Sequence, residues 1–203
     1  MSDNCTVLAE AWPAAQRCSS GPGTYAAFAG VFGIFAVGIV CSKAGARALA
    51  KRLRIPLRHT TTYKSATRWS APVIGLPLVF AALEGAPVAR GSHWWLGGSV
   101  LLCLSMAFHH ELVRGGPALK IVQLFDKLFC AYNFAYHTWL AVVVGSSLGL
   151  FCLGLVVACY WVAWVEAHAH TCVHVCGALA GLAIITAQTQ LGCSASHIPF
   201  ILA

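Results

Sequence analysis

Three histidines, His168, His170 and His174, open the last long apolar stretch of the chain. Polar side chains are costly inside apolar segments, so three imidazoles within seven residues ask for a partner or an ion. Residues four apart lie one above the other on a helix face, so His170 and His174 can aim both rings at one point. That arrangement is half of a zinc site. The other half must come from elsewhere, and the candidates are Ser105, His109, His110 and Asp126. Catalytic zinc typically takes three protein ligands and leaves its fourth position to water. His170, His174 and one of the His109/His110 pair supply three. Asp126 would orient or deprotonate the water, or receive a hydrogen bond from a ligand. Ser105, on the same helix face as His109, would hydrogen-bond the water or a carbonyl oxygen. Together these groups suit hydrolysis of an amide or ester of a lipid.

The elements that must position them are set by composition. Of 203 residues, 59% are hydrophobic and 9% charged. Mean hydropathy is +0.74, and a soluble domain carries roughly 25% charged residues. The expected class is therefore all-α, a polytopic transmembrane helical bundle with no separate soluble domain. A span takes about 20 apolar residues, which leaves room for about six. The spans fall near residues 24–41, 69–88, 94–112, 118–144, 148–165 and 168–188. A polar N-terminal tail occupies 1–23, the single transmembrane helical domain 24–190, and a short C-terminal tail 191–203. The N-terminal stretch pairs Asp3 and Glu10 with Arg17, unlike a secretory signal or a transit peptide.

Net charge is +7, and most of the thirteen Lys and Arg lie in residues 43–68. Such a local excess marks the cytoplasmic or matrix-like side of a membrane and not a nucleic-acid partner. Both termini then lie on the less basic side, where only Arg17 and Arg90 of the basic residues fall. The basic segment reads as a short amphipathic helix broken near Pro56, either a solvated loop that sets orientation or a contact for anionic headgroups. Pro72 and Pro77 should make the second span irregular. Trp94 and Trp95 would anchor the third at an interface, Glu84 would be interfacial, and Gly177 and Gly181 would give the last helix a small-residue packing face. Seven of the ten cysteines sit in or beside apolar segments, where Cys acts as a small hydrophobe, leaving Cys5, Cys18 and Cys193 as the residues placed for a bridge.

Direction of travel through the bilayer brings the candidates together. The third span ends on the basic side with His109 and His110, Ser105 lying one turn deeper. The fourth starts there, with Asp126 about 8 residues in, roughly 12 Å at 1.5 Å per residue. The last also starts there, with His170 and His174 near its entry.

The pattern Ser105-x-x-x-His109, then Asp126 on the next helix, then His170-x-x-x-His174 on the last, resembles the CREST superfamily of membrane proteins. That group includes alkaline ceramidases, progestin and adipoQ receptors, GPI-remodelling proteins and myomaker-like proteins. The run from His110 through Gly-Gly-Pro117 to Asp126 is most similar to the myomaker-like branch. The resemblance covers about residues 95–190. It implies zinc held by three histidines with Asp and Ser around a water, at the cytosolic side of a seven-helix bundle, whereas six spans are counted here. His109 matches the spacing from Ser105, and His110 the spacing to Gly-Pro and Asp126, so the first ligand stays open between them.

Other readings apply to other residues. His59, His93 and His197 read as interfacial side chains. His137 lies about 11 residues beyond Asp126, roughly 16 Å further along the helix, and reads as packed or hydrogen-bonded. Asp126 beside Lys127 could form a simple interfacial pair, and Ser105 could bond back to its own helix. Facing histidines on antiparallel spans also suit a b-type haem. The alternative role is thus a non-catalytic accessory subunit, haem- or pigment-contacting, of a larger respiratory or photosynthetic membrane complex. Membrane lipids are the expected partners in either case. A transporter is disfavoured, because no matched Gly/Pro breaks occur in corresponding halves.

Overall fold

A computed structural model describes residues 22–56, 67–83, 92–113 and 115–191, and every regular element among them is helical. Helix α1 (Pro22–Leu53) is followed by a 3-10 segment (Ala71–Gly75) that runs into α2 (Leu76–Leu83). Then come α3 (Ser92–His109), α4 (Gly116–Val143), α5 (Ser147–Val162) and α6 (Ala169–Leu191). The expected tails lie outside the described residues, apart from the first turn of α1 and Leu191. So do His59, Glu84, His197 and the three cysteines considered for a bridge; the seven described cysteines are free thiols.

The first helix does not stop at Cys41. It continues through the basic stretch to Leu53, with a 54° bend between Phe32–Ile39 and Ala44–Leu53. Within the bend Ser42 Oγ donates to Ile39 O at 2.6 Å, a side-chain bond back to the preceding turn that bends helices. Beyond it, Ser42, Ala46 and Ala50 form a buried stripe while Arg47, Lys51 and Arg52 stay exposed. The expected basic amphipathic segment therefore exists, fused to the apolar helix instead of separate from it. It closes with Ile55 N–H on Ala50 O and Arg54 N–H on Lys51 O, with Arg54 in the left-handed region at φ 57.

The second span is irregular where its prolines fall: Pro72 stands in the first turn of the 3-10 segment and Pro77 in the first turn of α2. At Pro72 the missing N–H would lack a partner in any case. The core gathers Leu78, Ala135, Leu140, Leu153, Ile184 and Ile185 from α2, α4, α5 and α6. Close approach depends on small residues: a Cβ at Gly181 would lie 2.8 Å from Pro77, whereas one at Gly177 would meet nothing nearer than 4.0 Å. Only Gly181 thus acts as the packing face expected of the pair. The 3-10 segment packs against both α3 and α6, tying the end of one to the start of the other.

Lengths do not support six spans. Among the described residues only α6, over Ala169–Gln190, is both long and apolar enough to cross a membrane, with the bent α1 as a second if its two parts count as one span. Helix α5 has 16 residues, about 24 Å against a hydrocarbon core of about 30 Å. The apolar stretches Ala71–Leu83 and Gly97–His109 are shorter still. Helix α4 has length to spare at 28 residues, but Lys120, Gln123, Asp126, Lys127, Asn133 and His137 dilute its apolar character.

Candidate metal centre

Three imidazoles meet where the end of α3 faces the start of α6. His109, His170 and His174 each offer a ligand atom, and these atoms all lie within 4.8 Å of one another. Ring centroids are 5.5 Å apart for His109 and His170, 5.1 Å for His109 and His174, and 4.7 Å for His170 and His174. All three residues are buried, between 2% and 8% exposed. Bonds of about 2.0–2.1 Å to a tetrahedral ion place nitrogens roughly 3.4 Å apart, so closing on one asks for a shift of no more than about 1.5 Å in any pair.

Helical spacing explains the α6 pair, since one turn separates His170 from His174. His109 reaches them because α3 ends there. His110 N–H still bonds to Met106 O, then Leu112 N–H bonds to Ala107 O and Glu111 N–H to Phe108 O, with Glu111 at φ 56. This left-handed residue turns the chain away directly after the ligand. Of the doubled pair, the structure brings His109 into the cluster and leaves His110 outside it. His110 is partly buried, and its Nε2 has no hydrogen-bond partner among the described residues. His168 is exposed; its N–H bonds to Glu166 Oε1 at 3.1 Å in the turn leading into α6.

Two hydroxyls hold the rings. Ser70 Oγ lies 2.8 Å from His174 Nδ1, and Thr67 Oγ1 lies 2.7 Å from His109 Nδ1. Ser70 Oγ also reaches Thr67 O at 3.0 Å. When it donates there it accepts from His174 Nδ1–H, which leaves Nε2 with a lone pair, the state that a metal ligand needs. The same tautomer at His109 has Nδ1–H donating to Thr67. Neither hydroxyl was singled out from sequence. The only available signal was a Thr and a Ser three residues apart on the approach to Pro72, among several other hydroxyls in that stretch.

No family model, curated protein or solved structure matches the chain. What the centre can do must be read from its surroundings.

A cavity of about 720 Å³ opens beside the three rings and also touches Ser105 and Asp126. Ser105 is 2% exposed, one turn before His109 on α3. Asp126 is not among the mutually close donor atoms, and its Oδ1 is buried with no hydrogen-bond partner among the described residues. The remaining cavity wall is divided. Gln123, Asp126, Lys127, Cys130, Asn133 and His137 line it from one side of α4, while Ile34, Phe35, Leu78, Leu101, Leu153 and Val156 supply apolar surface. The residues that dilute α4 thus point largely into the protein. His137 binds its own helix, with Nδ1 at 2.6 Å from Asn133 O, as expected of a residue outside the ion's reach. The donor set, three buried imidazoles, could hold a metal ion.

Proposed function

We propose that the protein is an integral membrane, zinc-dependent hydrolase acting on an amide or ester bond of a lipid, a divergent and shortened relative of the CREST superfamily. The observation that carries the proposal is the convergence of His109, His170 and His174 on the wall of a largely apolar cavity that also holds an Asp126 oxygen with no hydrogen-bond partner among the described residues. The volume suits part of an amphiphile, since small-molecule sites run about 300–1,000 Å³. Large apolar side chains such as Ile34, Val37, Val79, Leu148, Phe151 and Leu179 are exposed around the bundle, which supports lipid as the surrounding solvent. In a six-span arrangement α4 turns its polar stripe to the cavity, and both termini lie opposite the basic arm of α1.

The residues divide the work as follows. His109, His170 and His174 would hold the ion, with Ser70 and Thr67 fixing ring orientation. A zinc ion bound there supplies Lewis acidity toward a water and a carbonyl. Asp126 accepts the proton that water gives up as its oxygen bonds to the acyl carbon. The same carboxyl then returns the proton to the leaving amine or alcohol as the C–N or C–O bond breaks. Ser105 donates a hydrogen bond to the carbonyl oxygen as it gains charge.

A haem alternative is less well supported. Two axial imidazoles must stand on opposite faces of a macrocycle, whereas here three rings crowd together with centroids 4.7–5.5 Å apart. Elemental analysis and an absorption spectrum of one purified sample decide between them. We expect a colourless protein with one zinc per chain that hydrolyses a lipid amide or ester. His170→Ala and His174→Ala should each lose the zinc, while His110→Ala keeps it. Full zinc in both of the first two variants, or a Soret band in the wild type, would sink the proposal.

A further inference from the structure

The charged residues lining the cavity are Arg47, Asp126 and Lys127, two cations against one carboxylate, before any ion is added. Lys127 neighbours Asp126 in sequence, yet Asp126 Oδ1 has no hydrogen-bond partner among the described residues. Arg47 stands on the arm of α1 beyond its bend. The position of that arm is fixed by close contact: a Cβ at Gly45 would lie 3.0 Å from the Trp161 ring, and Trp161 itself lines the cavity. Arg47 is exposed, whereas Lys127 is half-buried, so the two cations offer one outer and one inner contact. Beyond Arg47 the same arm adds exposed Lys51, Arg52 and Arg54, none of which lines the cavity, a surface suited to anionic lipid.

We propose that the amphiphile entering this cavity carries a phosphate in its headgroup, held by Arg47 and Lys127, with its acyl chain along the apolar wall. A guanidinium matches phosphate oxygens with paired N–H donors, and an ammonium supplies a compact charge beside it. The proposal deepens the hydrolase reading and rests on the same cavity, but phosphate recognition needs no bound metal.

The test is therefore binding, measured without turnover. Purified protein in non-ionic detergent is titrated with fluorescent short-chain phosphatidic acid or the matching diacylglycerol, which lacks the phosphate, and anisotropy is followed for the wild type and for zinc-free His174→Ala. Both proteins should prefer phosphatidic acid by about tenfold or more, the size expected of hydrogen bonds to a charged group. Arg47→Gln and Lys127→Gln should each remove most of that preference, and Arg47→Lys with Lys127→Arg should keep part of it. Lys51→Gln, one turn further along the arm and off the cavity wall, should leave it within about twofold.

Equal affinity for the two lipids overturns the proposal, as does an equal loss in Lys51→Gln, which would assign the effect to surface charge. Displacement by inorganic phosphate as effective as by dioctanoyl phosphatidic acid would replace the lipid with a free anion and equally refute it. A protein that holds zinc and hydrolyses lipid without this preference loses only the headgroup assignment. One that shows the preference but holds no zinc loses only the hydrolase.

Discussion

The two ends of the bundle use polar side chains in opposite ways. Toward the core around Leu140 and Ile184, hydroxyl, amide and imidazole groups close on main chain, mostly of their own helix, although Asn133 also reaches Gly97 O and Ser146 reaches Ala183 O. Thr138 donates to Phe134 O, Thr189 to Ile185 O, Asn133 to Phe129 O, and His137 Nδ1 meets Asn133 O, each four residues back. At the other end the polar groups bond to one another across the chain. Thr67 meets His109 over 42 residues and Ser70 meets His174 over 104. A polar group satisfied by its own helix solves a local burial problem, and any sequence with that helix could do it. A side chain satisfied by another side chain, far away in sequence, has been positioned. The contrast separates His137 from His174, two cavity-lining imidazoles that composition alone treats alike.

The contrast is most easily broken at Asp126, the cavity carboxylate whose Oδ1 neither kind of bond satisfies among the described residues. Asp126→Asn should reduce turnover by about 100-fold or more, the usual size of a lost general base, while zinc content stays near one per chain. Steady-state kinetics beside elemental analysis reads both, and unchanged turnover would remove Asp126 from the chemistry. A smaller effect sharpens the comparison. Ser70→Ala should weaken zinc binding by about 10–100-fold, measured by chelator competition, because the outer partner of a ligand imidazole is lost. Thr138→Ala, which removes a hydroxyl of the local kind, should leave zinc affinity unchanged. Equal losses in the two variants would erase the distinction.

The smallest effect compares two helix ends. Helix α4 closes with Ser146 N–H on Ala141 O and Gly145 at φ 66, and α3 closes the same way with Glu111 at φ 56. Glycine takes this conformation without steric cost, whereas an L-residue pays roughly 1 kcal/mol. Glu111→Gly should therefore raise thermal stability by about 1 kcal/mol or somewhat less, since Gly also gains freedom in the unfolded chain. Loss of stability would show that the Glu111 side chain itself holds the turn.

Helical class was legible because apolar runs and their breaks dominate this chain. The histidine cluster was legible because His170 and His174 share a face by spacing alone, and because the end of α3 meets the start of α6. Span number was not. Pro72 and Pro77 divide the second run into a 3-10 segment and an eight-residue helix, and hydropathy averages cannot show that the polar residues of α4 line a cavity. The choice between His109 and His110 turned on where α3 ends, which a left-handed Glu111 sets and no propensity would suggest. Thr67 and Ser70 stayed hidden because their roles exist only once three distant segments have met.

The 104-residue reach of the Ser70 contact carries a consequence for timing. A nascent chain that has released its first helices holds the hydroxyls and His109 but neither imidazole of α6, while an isolated α6 has two ligands and nothing to orient them. Tight capture of an ion thus has to wait until the last helix docks, so occupancy would report completed assembly, and a stalled or truncated polypeptide would compete poorly for the cell's metal.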